Sequence, residues 1–313
     1  MVIDLLAIGG ITIDYLFKIT HLPRRYFEAE ITEVKISFGG RAPNVAAMLA
    51  KLGFKTGIVS PVGDDFRSSG YEEHLRKLNV DLRGIKVLPS QVTKRIYLFS
   101  DPSGRQISFF YFGAEKWFRK MKVPSDLVKE ARILHISSGD YNFNLKCARI
   151  ATKKGIKISF DPGNDPSIRL KRYIKEMVLS SSLLFANDTE VPYILGSLDV
   201  KFTQKLFKIS DSLELIAIIN KSSKSCTIFT RDSVYSVPSV LDKVKVADLT
   251  ATTDGYVAGS LAGYLRRCDI KVAALMGAAE ATFIAEKEGG QTNMPTWRRL
   301  ISRMRKLSSK IAL

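Results

Sequence analysis

Residues 246–265 read VADLTATTDGYVAGSLAGYL, and the rest of the chain is organised around them. A short apolar approach (Val244, Val246, Ala247) reaches Asp248. The small and hydroxyl residues Thr250, Ala251, Thr252 and Thr253 follow, then Asp254 and a helix pattern rich in Ala and Gly. A strand or loop that feeds a helix through small residues aims the first, unpaired N–H groups of that helix at one spot, where its dipole is positive. Such a spot suits an anion. Asp254 sits where the helix would begin. A carboxylate there caps the helix, and it is also placed to take a proton from a group lying over the anion site.

Working outward, Ile3–Ile8, with Asp4 its one polar residue, is an apolar run ending at Gly9-Gly10, as expected of a buried strand that enters a loop. Residues 11–20, around Asp14, and 31–37 alternate apolar with polar and predict half-exposed antiparallel strands. FGGRAPNVAAMLAKLG (38–53) predicts a loop and then a helix. Gly39 and Gly40 permit close approach of backbone to a ligand, Asn44 is placed to cap the helix and Gly53 to end it. A strand over 57–62, a turn over 63–65 and a helix over 68–78 come next. A hairpin follows, with arms at 94–99 and 106–112 around Asp101-Pro102-Ser103-Gly104. Its second arm carries Phe109, Phe110, Tyr111 and Phe112, apolar on both faces, and needs cover from a ligand or a partner subunit.

The remainder alternates regularly. Strands are predicted at 133–136, 156–160, 183–186, 215–219 and 227–230, and helices at 144–154, 170–180, 202–209, 255–266 and 270–287. This predicts a mostly parallel sheet covered by helices on both faces. Such sheets bind ligands beyond the carboxyl ends of their strands. Polar residues collect at the loops 9–14, 161–165, 187–190, 220–225 and 248–254.

Composition excludes several classes. At 313 residues, 45% hydrophobic and 25% charged, the chain has the make-up of a globular protein. No window approaches about 18 uninterrupted apolar residues, so no membrane span is predicted. MVIDLLAIGG reads as a first strand without the basic lead of a signal peptide, and a cytoplasmic protein is expected. Cys147, Cys226 and Cys268 form no CxxC pair, and His21, His74 and His135 have no metal-ligand spacing. The net charge of +17 permits attraction to phosphorylated molecules or nucleic acid. Its densest patch, Arg298 to Lys310, fits an amphipathic helix with a solvated basic face, and no nucleic-acid-binding motif accompanies it. No GxxxxGKS/T, GxGxxG or GxSxG motif is present, which disfavours P-loop enzymes, ordinary Rossmann dehydrogenases and α/β-hydrolases.

The ordering resembles the ribokinase-like (PfkB) carbohydrate kinase family over nearly the whole chain. FGGRAPNVAAMLAKLG is similar to its first signature, a Gly-Gly followed by an Asn opening a helix. VADLTATTDGYVAGSLAGYL is similar to its second, usually of DTTGAGDAF type. Asn187-Asp188-Thr189-Glu190 matches its NxxE motif, and residues 291–296 (QTNMPT) resemble its closing segment near the adenine site. The resemblance implies one ribokinase-like α/β domain over residues 1–313. It also implies a small β-strand lid, drawn from residues 11–37 and 93–112, that often forms a dimer interface. It implies a phosphotransferase that uses ATP and Mg2+ to phosphorylate a hydroxyl of a sugar or nucleoside. Asp14, Gly39, Gly40 and Asn44 would bind the acceptor, and Asn187 and Glu190 would order Mg2+ through water. Lys221, Ser223, Lys224 and Asn293 would run beside the nucleotide. Thr250, Ala251, Thr252 and Thr253 would form the anion hole, and Asp254 would take the acceptor's proton.

Two departures fall on the phosphate-donor side. Ala251-Thr252-Thr253-Asp254 stands where the family has Gly-Ala-Gly-Asp, and Ser222 to Ser225 replaces a Gly-x-x-Gly turn. A positive φ at β-branched Thr253 would be strained. The chain is therefore either an active kinase or a weak or silent relative that binds a sugar or nucleoside as sensor or scaffold. The retained Asp254, Asn187 and Glu190 favour activity.

Overall fold

The computed structural model describes residues 2–163, 166–201, 203–220, 225–241 and 244–308. The first half holds β1 (Ile3–Ile8), β2 (Thr12–Ile19), β3 (Ile31–Gly39), α1 (Arg41–Lys51), β4 (Thr56–Gly63), α2 (Asp65–Ser68), α3 (Tyr71–Lys77) and β5 (Asp81–Leu88). The hairpin β6 (Lys94–Ser100) and β7 (Gln106–Tyr111) is followed by α4 (Ser125–Lys129), β8 (Ala131–Ile136), α5 (Tyr141–Lys153) and β9 (Lys157–Phe160). Then come α6 (Lys171–Ser180), β10 (Leu183–Asn187), α7 (Val191–Ser197), α8 (Leu206–Ile209), β11 (Leu215–Ile219), β12 (Cys226–Phe229) and β13 (Val234–Val237). The chain closes with α9 (Thr252–Leu265), α10 (Ile270–Ala285) and α11 (Trp297–Ser308).

A nine-stranded sheet runs in the order β13-β12-β11-β10-β9-β8-β1-β4-β5. Pairing is parallel from β11 to β5 and antiparallel where β12 and β13 close the other edge. Strand β1 is apolar apart from Asp4 at its start, because both its faces are covered. Leu5 and Ala7 enter a core with α1, α9 and α10, while Leu6 and Ile8 enter a second core with α5 and α6. The fold is ribokinase-like, as the resemblance implied.

The Ala- and Gly-rich pattern of α9 has a packing cause. Gly255, Gly259 and Gly263 recur every fourth residue on the face turned to α10. A Cβ on Gly259 would lie 2.4 Å from the Met276 carbonyl oxygen, so only glycine lets α10 approach this closely. That contact fixes where the N-terminus of α9 points.

A four-stranded sheet, β3-β2-β6-β7, stands beside the large one. Its register aligns Asp14 with Ile96 and Ile96 with Phe110 on one face. Tyr15, Tyr97 and Phe109 align on the other face.

Several elements differ from the expectations. The predicted helix over 68–78 begins only at Tyr71, after Gly70 in the left-handed conformation (φ 82°), and α2 precedes it. The segment predicted as a helix over 202–209 is a 3₁₀ turn, Thr203–Lys205, followed by the single turn α8. Strands β5 and β13 expose apolar Val87 and Val234 beside polar Arg83, Lys86 and Ser236, and the resulting lack of clean alternation hid them.

Candidate active site

The loop that enters α9 is held from both sides. Asp248 Oδ1 accepts from the Thr250 amide at 2.8 Å, and Asp248 Oδ2 accepts from the Gly289 amide at 3.1 Å. Ala251 then takes the left-handed conformation, φ 59°, and Thr252 begins the helix. The positive φ thus falls on Ala251, and Thr253 lies within the helix without the strain its β-branch would meet there. Asp254 is the third residue of α9, and its carboxylate makes no capping bond to the helix. The first helical amide bond runs from Gly255 to the Ala251 carbonyl, and the amides of Thr253 and Asp254 have no acceptor among the described residues. Thr253 and Asp254 line the same cavity.

Helix α1 supplies the partner of that side chain. Asn44 Nδ2 donates to Asp254 Oδ2 at 2.8 Å. Asn44 was expected as a helix cap, but α1 starts three residues earlier with Gly40 at its N-cap. Gly40 has φ 105°, and a Cβ there would lie 2.2 Å from the Gly10 carbonyl oxygen. Glycine therefore lets the β3–α1 turn pass against the loop that leaves β1. Asp14, on β2, is 9% exposed, and its Oδ1 has no hydrogen-bond partner among the described residues.

Arg41 stands among three carboxylates. Its Nη1 lies 3.1 Å from Asp161 Oδ1 and 3.9 Å from Glu190 Oε1, and its Nε lies 3.8 Å from Asp254 Oδ1. Burial disfavours the guanidinium's charge, yet Asp161, Asp254 and Glu190 together raise its pKa above the usual value. Burial lifts the Asp254 carboxyl from 3.8 to about 6 against the opposing pull of Arg41 and the Asn44 bond. Burial likewise lifts Asp14 to about 6, opposed by the Thr12 hydroxyl and Lys94. Both groups are carboxylates at neutral pH and are basic enough to accept a proton near it. At the end of β10, Asn187 and Glu190 clasp each other. The Asn187 amide donates to Glu190 Oε2 at 2.9 Å and its Nδ2 to Oε1 at 2.6 Å.

These groups surround a cavity of about 370 Å³ beyond the carboxyl ends of the parallel strands. It brings together Asp14, Gly40, Asn44, Thr250, Ala251, Thr253 and Asp254, with Arg41 and Lys94 as its cations and Phe110 and Phe112 as its aromatic wall. Gly39 lies behind Asp14, and Thr252 faces a small crevice lined by Ile219, Val240, Tyr256 and Ala278. Asn187 and Glu190 are buried next to Arg41. Asn293 is not among the cavity's lining residues; its Nδ2 donates to the Phe283 carbonyl at 2.7 Å. Lys221, Ser223 and Lys224 lie outside the described residues. Sequence reasoning named the loop of Asp161 but not the role of the residue, did not place Lys94 at the site, and put Gln291 in the segment resembling the one near the adenine site rather than against Asn44. Asp161 had one signal, its position just after an apolar strand.

A mostly parallel sheet with a carboxylate and open helix amides at its strand ends defines a small-molecule kinase of the ribokinase fold. The profile described as pfkB family carbohydrate kinase matches residues 3–297, and the chain belongs to that family. It is 34% identical over 306 residues to the nucleoside kinase of Methanocaldococcus jannaschii, covering 96% of each chain. It is 32% identical to the nucleoside kinase of Methanothermobacter thermautotrophicus, covering 93% of this chain and 92% of that one. The crystal structure of the M. jannaschii enzyme, an archaeal member of the ribokinase family, superposes with a TM-score of 0.88 at 31% identity. That superposition covers 97% of this chain and 98% of the other.

Proposed function

We propose that the protein transfers the terminal phosphoryl group of ATP to a hydroxyl of a nucleoside, with Asp254 as the general base. The observation that carries this reading is the placement of the Asp254 carboxylate beside the amides of Thr253 and Asp254, facing one cavity. Phosphoryl transfer asks mainly for alignment and for charge stabilisation at the moving group, with a base for the attacking oxygen. Asp14, with an unpartnered oxygen, and Asn44 hold acceptor hydroxyls on one side, and Phe110 and Phe112 offer faces on which a base stacks. The amides that start α9 take negative charge developing on the transferred group, and Asp254 takes the hydroxyl proton. The relatives at 34% and 32% identity are named nucleoside kinases, which favours a nucleoside over a free sugar.

Magnesium fits as an ion held mainly by phosphate and water. Among the described residues no cluster of three or more His, Cys, Asp or Glu is built to hold a metal, and both Glu190 oxygens accept from Asn187. Asn187 and Glu190 would hold the ion's water shell. When bound, the ion supplies neutralisation of phosphate charge.

The test is ADP formation with ATP, Mg2+ and a panel of adenosine, guanosine, cytidine, inosine, ribose and fructose. At least one nucleoside is expected to turn over, and Asp254→Asn to lose roughly 10²–10⁴-fold in kcat with its melting temperature kept. If a nucleoside binds by calorimetry but none yields ADP, the protein is a sensor or scaffold instead.

The outer face of the small sheet supports a homodimer. Phe17 and Phe99 stack there at 4.6 Å between ring centres, and Phe109, Val34 and Ile36 are each more than half exposed. An apolar face of this kind is normally covered, and a second copy of the same face is self-complementary.

A further inference from the structure

We propose that Gln291 is a positioning residue for phosphoryl transfer: its side-chain amide anchors the oxygen end of Asn44 and so steadies the Nδ2 end against Asp254. The proposal rests on Asp254 being the base. The Gly39 backbone carbonyl only accepts. The Tyr71 hydroxyl lies 2.9 Å from it and spends its single proton there. Its oxygen therefore accepts from the side-chain amide 2.6 Å away, and the nitrogen end of Gln291 must face it. The opposite end, Gln291 Oε1, lies 2.9 Å from His74 Nε2 and accepts its proton. Protonation of His74 leaves that donor in place, so its titration does not turn the amide.

The same Gln291 Nε2 lies 2.9 Å from Asn44 Oδ1. A second nitrogen at that place would set two donors against each other, so Asn44 must offer its oxygen to Gln291 and its Nδ2 to Asp254. With Asn44 reversed, a carbonyl oxygen would face the carboxylate with no proton between them. Phe38 stacks on Tyr71 with 4.4 Å between ring centres and holds the start of the chain still. Gln291 is 6% exposed and does not line the cavity, so it acts only through Asn44. The other charged groups facing Asp254 are Arg41 on α1, Asp161 beyond β9 and Asp14 on β2, and a change at Gln291 leaves them in place.

The test compares Gln291→Met and His74→Leu with the unchanged chain, using ATP, Mg2+ and the best nucleoside acceptor of the panel. In Gln291→Met the Asn44 oxygen loses its donor, and the bond from Asn44 Nδ2 to Asp254 is held less firmly. Turnover is expected to fall roughly tenfold or more, the scale of a lost hydrogen bond to a charged group. The acid limb of the kcat profile is expected to move up by about half a pH unit or more, because the carboxylate loses its donor. KM for ATP stays within about twofold, since the donor side is untouched. His74→Leu, at a half-exposed position, shifts the limb the same way by less, and it carries the test if Gln291→Met fails to fold. In an Asn44→Ala background, Gln291→Met is expected to add no further loss. An unmoved acid limb in both variants, or losses that multiply in the double variant, overturns the proposal. Full turnover in Asp254→Asn would instead remove the base assignment, whatever Gln291 does.

Discussion

Burial lifts the Asp14 carboxyl from 3.8 to about 6, and the direction of that shift makes a prediction about stability. Between those two pH values the folded chain holds a proton that the unfolded chain releases. Stability from this group is therefore present at low pH and is lost as pH rises through about 6. Above that range the buried charge opposes folding by an amount on the order of 2–3 kcal/mol. Asp14→Asn is expected to raise unfolding free energy by about that much at pH 7.5, to give no gain at pH 4, and to lose nucleoside binding. Urea melts at the two pH values check it; equal stability at pH 7.5 would sink it. A carboxylate held at this cost is the mark of a binding residue. Asp14 and Asp254 were legible as candidate site residues because the family resemblance marked them and each lies close to a loop, Asp14 third in β2 and Asp254 third in α9. The partner of Asp254 was not legible. Asn44 is 210 residues away in the chain, and only packing of α1 on α9 brings its amide to 2.8 Å.

The start of α9 shows how an element absorbs a substitution. The left-handed turn that glycine would fill falls on Ala251, and Thr253 sits in ordinary helical geometry. Ala251→Gly is therefore expected to stabilise the chain by about 1 kcal/mol and to leave the anion-binding amides in place. Thr253→Gly is expected to destabilise it slightly, because glycine in a helix is unfavourable. Thermal denaturation of the two variants distinguishes them, and the reverse order would contradict this account of the loop. The elements that sequence reasoning placed well are those with a marked run of apolar or small residues between loop signals, such as β1 and α9. It missed β5 and β13, where the exposed residues break the alternation. It began the helix of 68–78 three residues before α3 and missed α2, because Gly70 in the left-handed conformation divides a pattern that still reads as helical.

For the molecule as a whole, the register of β2 with β6 and of β6 with β7 separates two jobs. One face turns Asp14, Ile96 and Phe110 to the cavity, and the other carries Phe17, Phe99 and Phe109 outward. If that outer face joins two copies, light scattering of the unchanged chain gives a dimer mass. Phe109→Glu, which places a charge on the apolar face, is then expected to give a monomer. A monomer mass for the unchanged chain would end the dimer proposal.

Hydrophobic periodicity and two ordered motifs were enough, by themselves, to determine a mostly parallel sheet with helices on both faces. They also marked Asp14, Asn44 and Asp254 as a set. Period and capping are local, so a chain read in order displays them. Only the tertiary structure decided which groups meet: Arg41 with Asp161, Gln291 with Asn44, and Asn44 with Asp254. Hydrogen bonds and charge pairs act over about 3 Å, and residues that distance apart here are separated by more than a hundred positions along the chain.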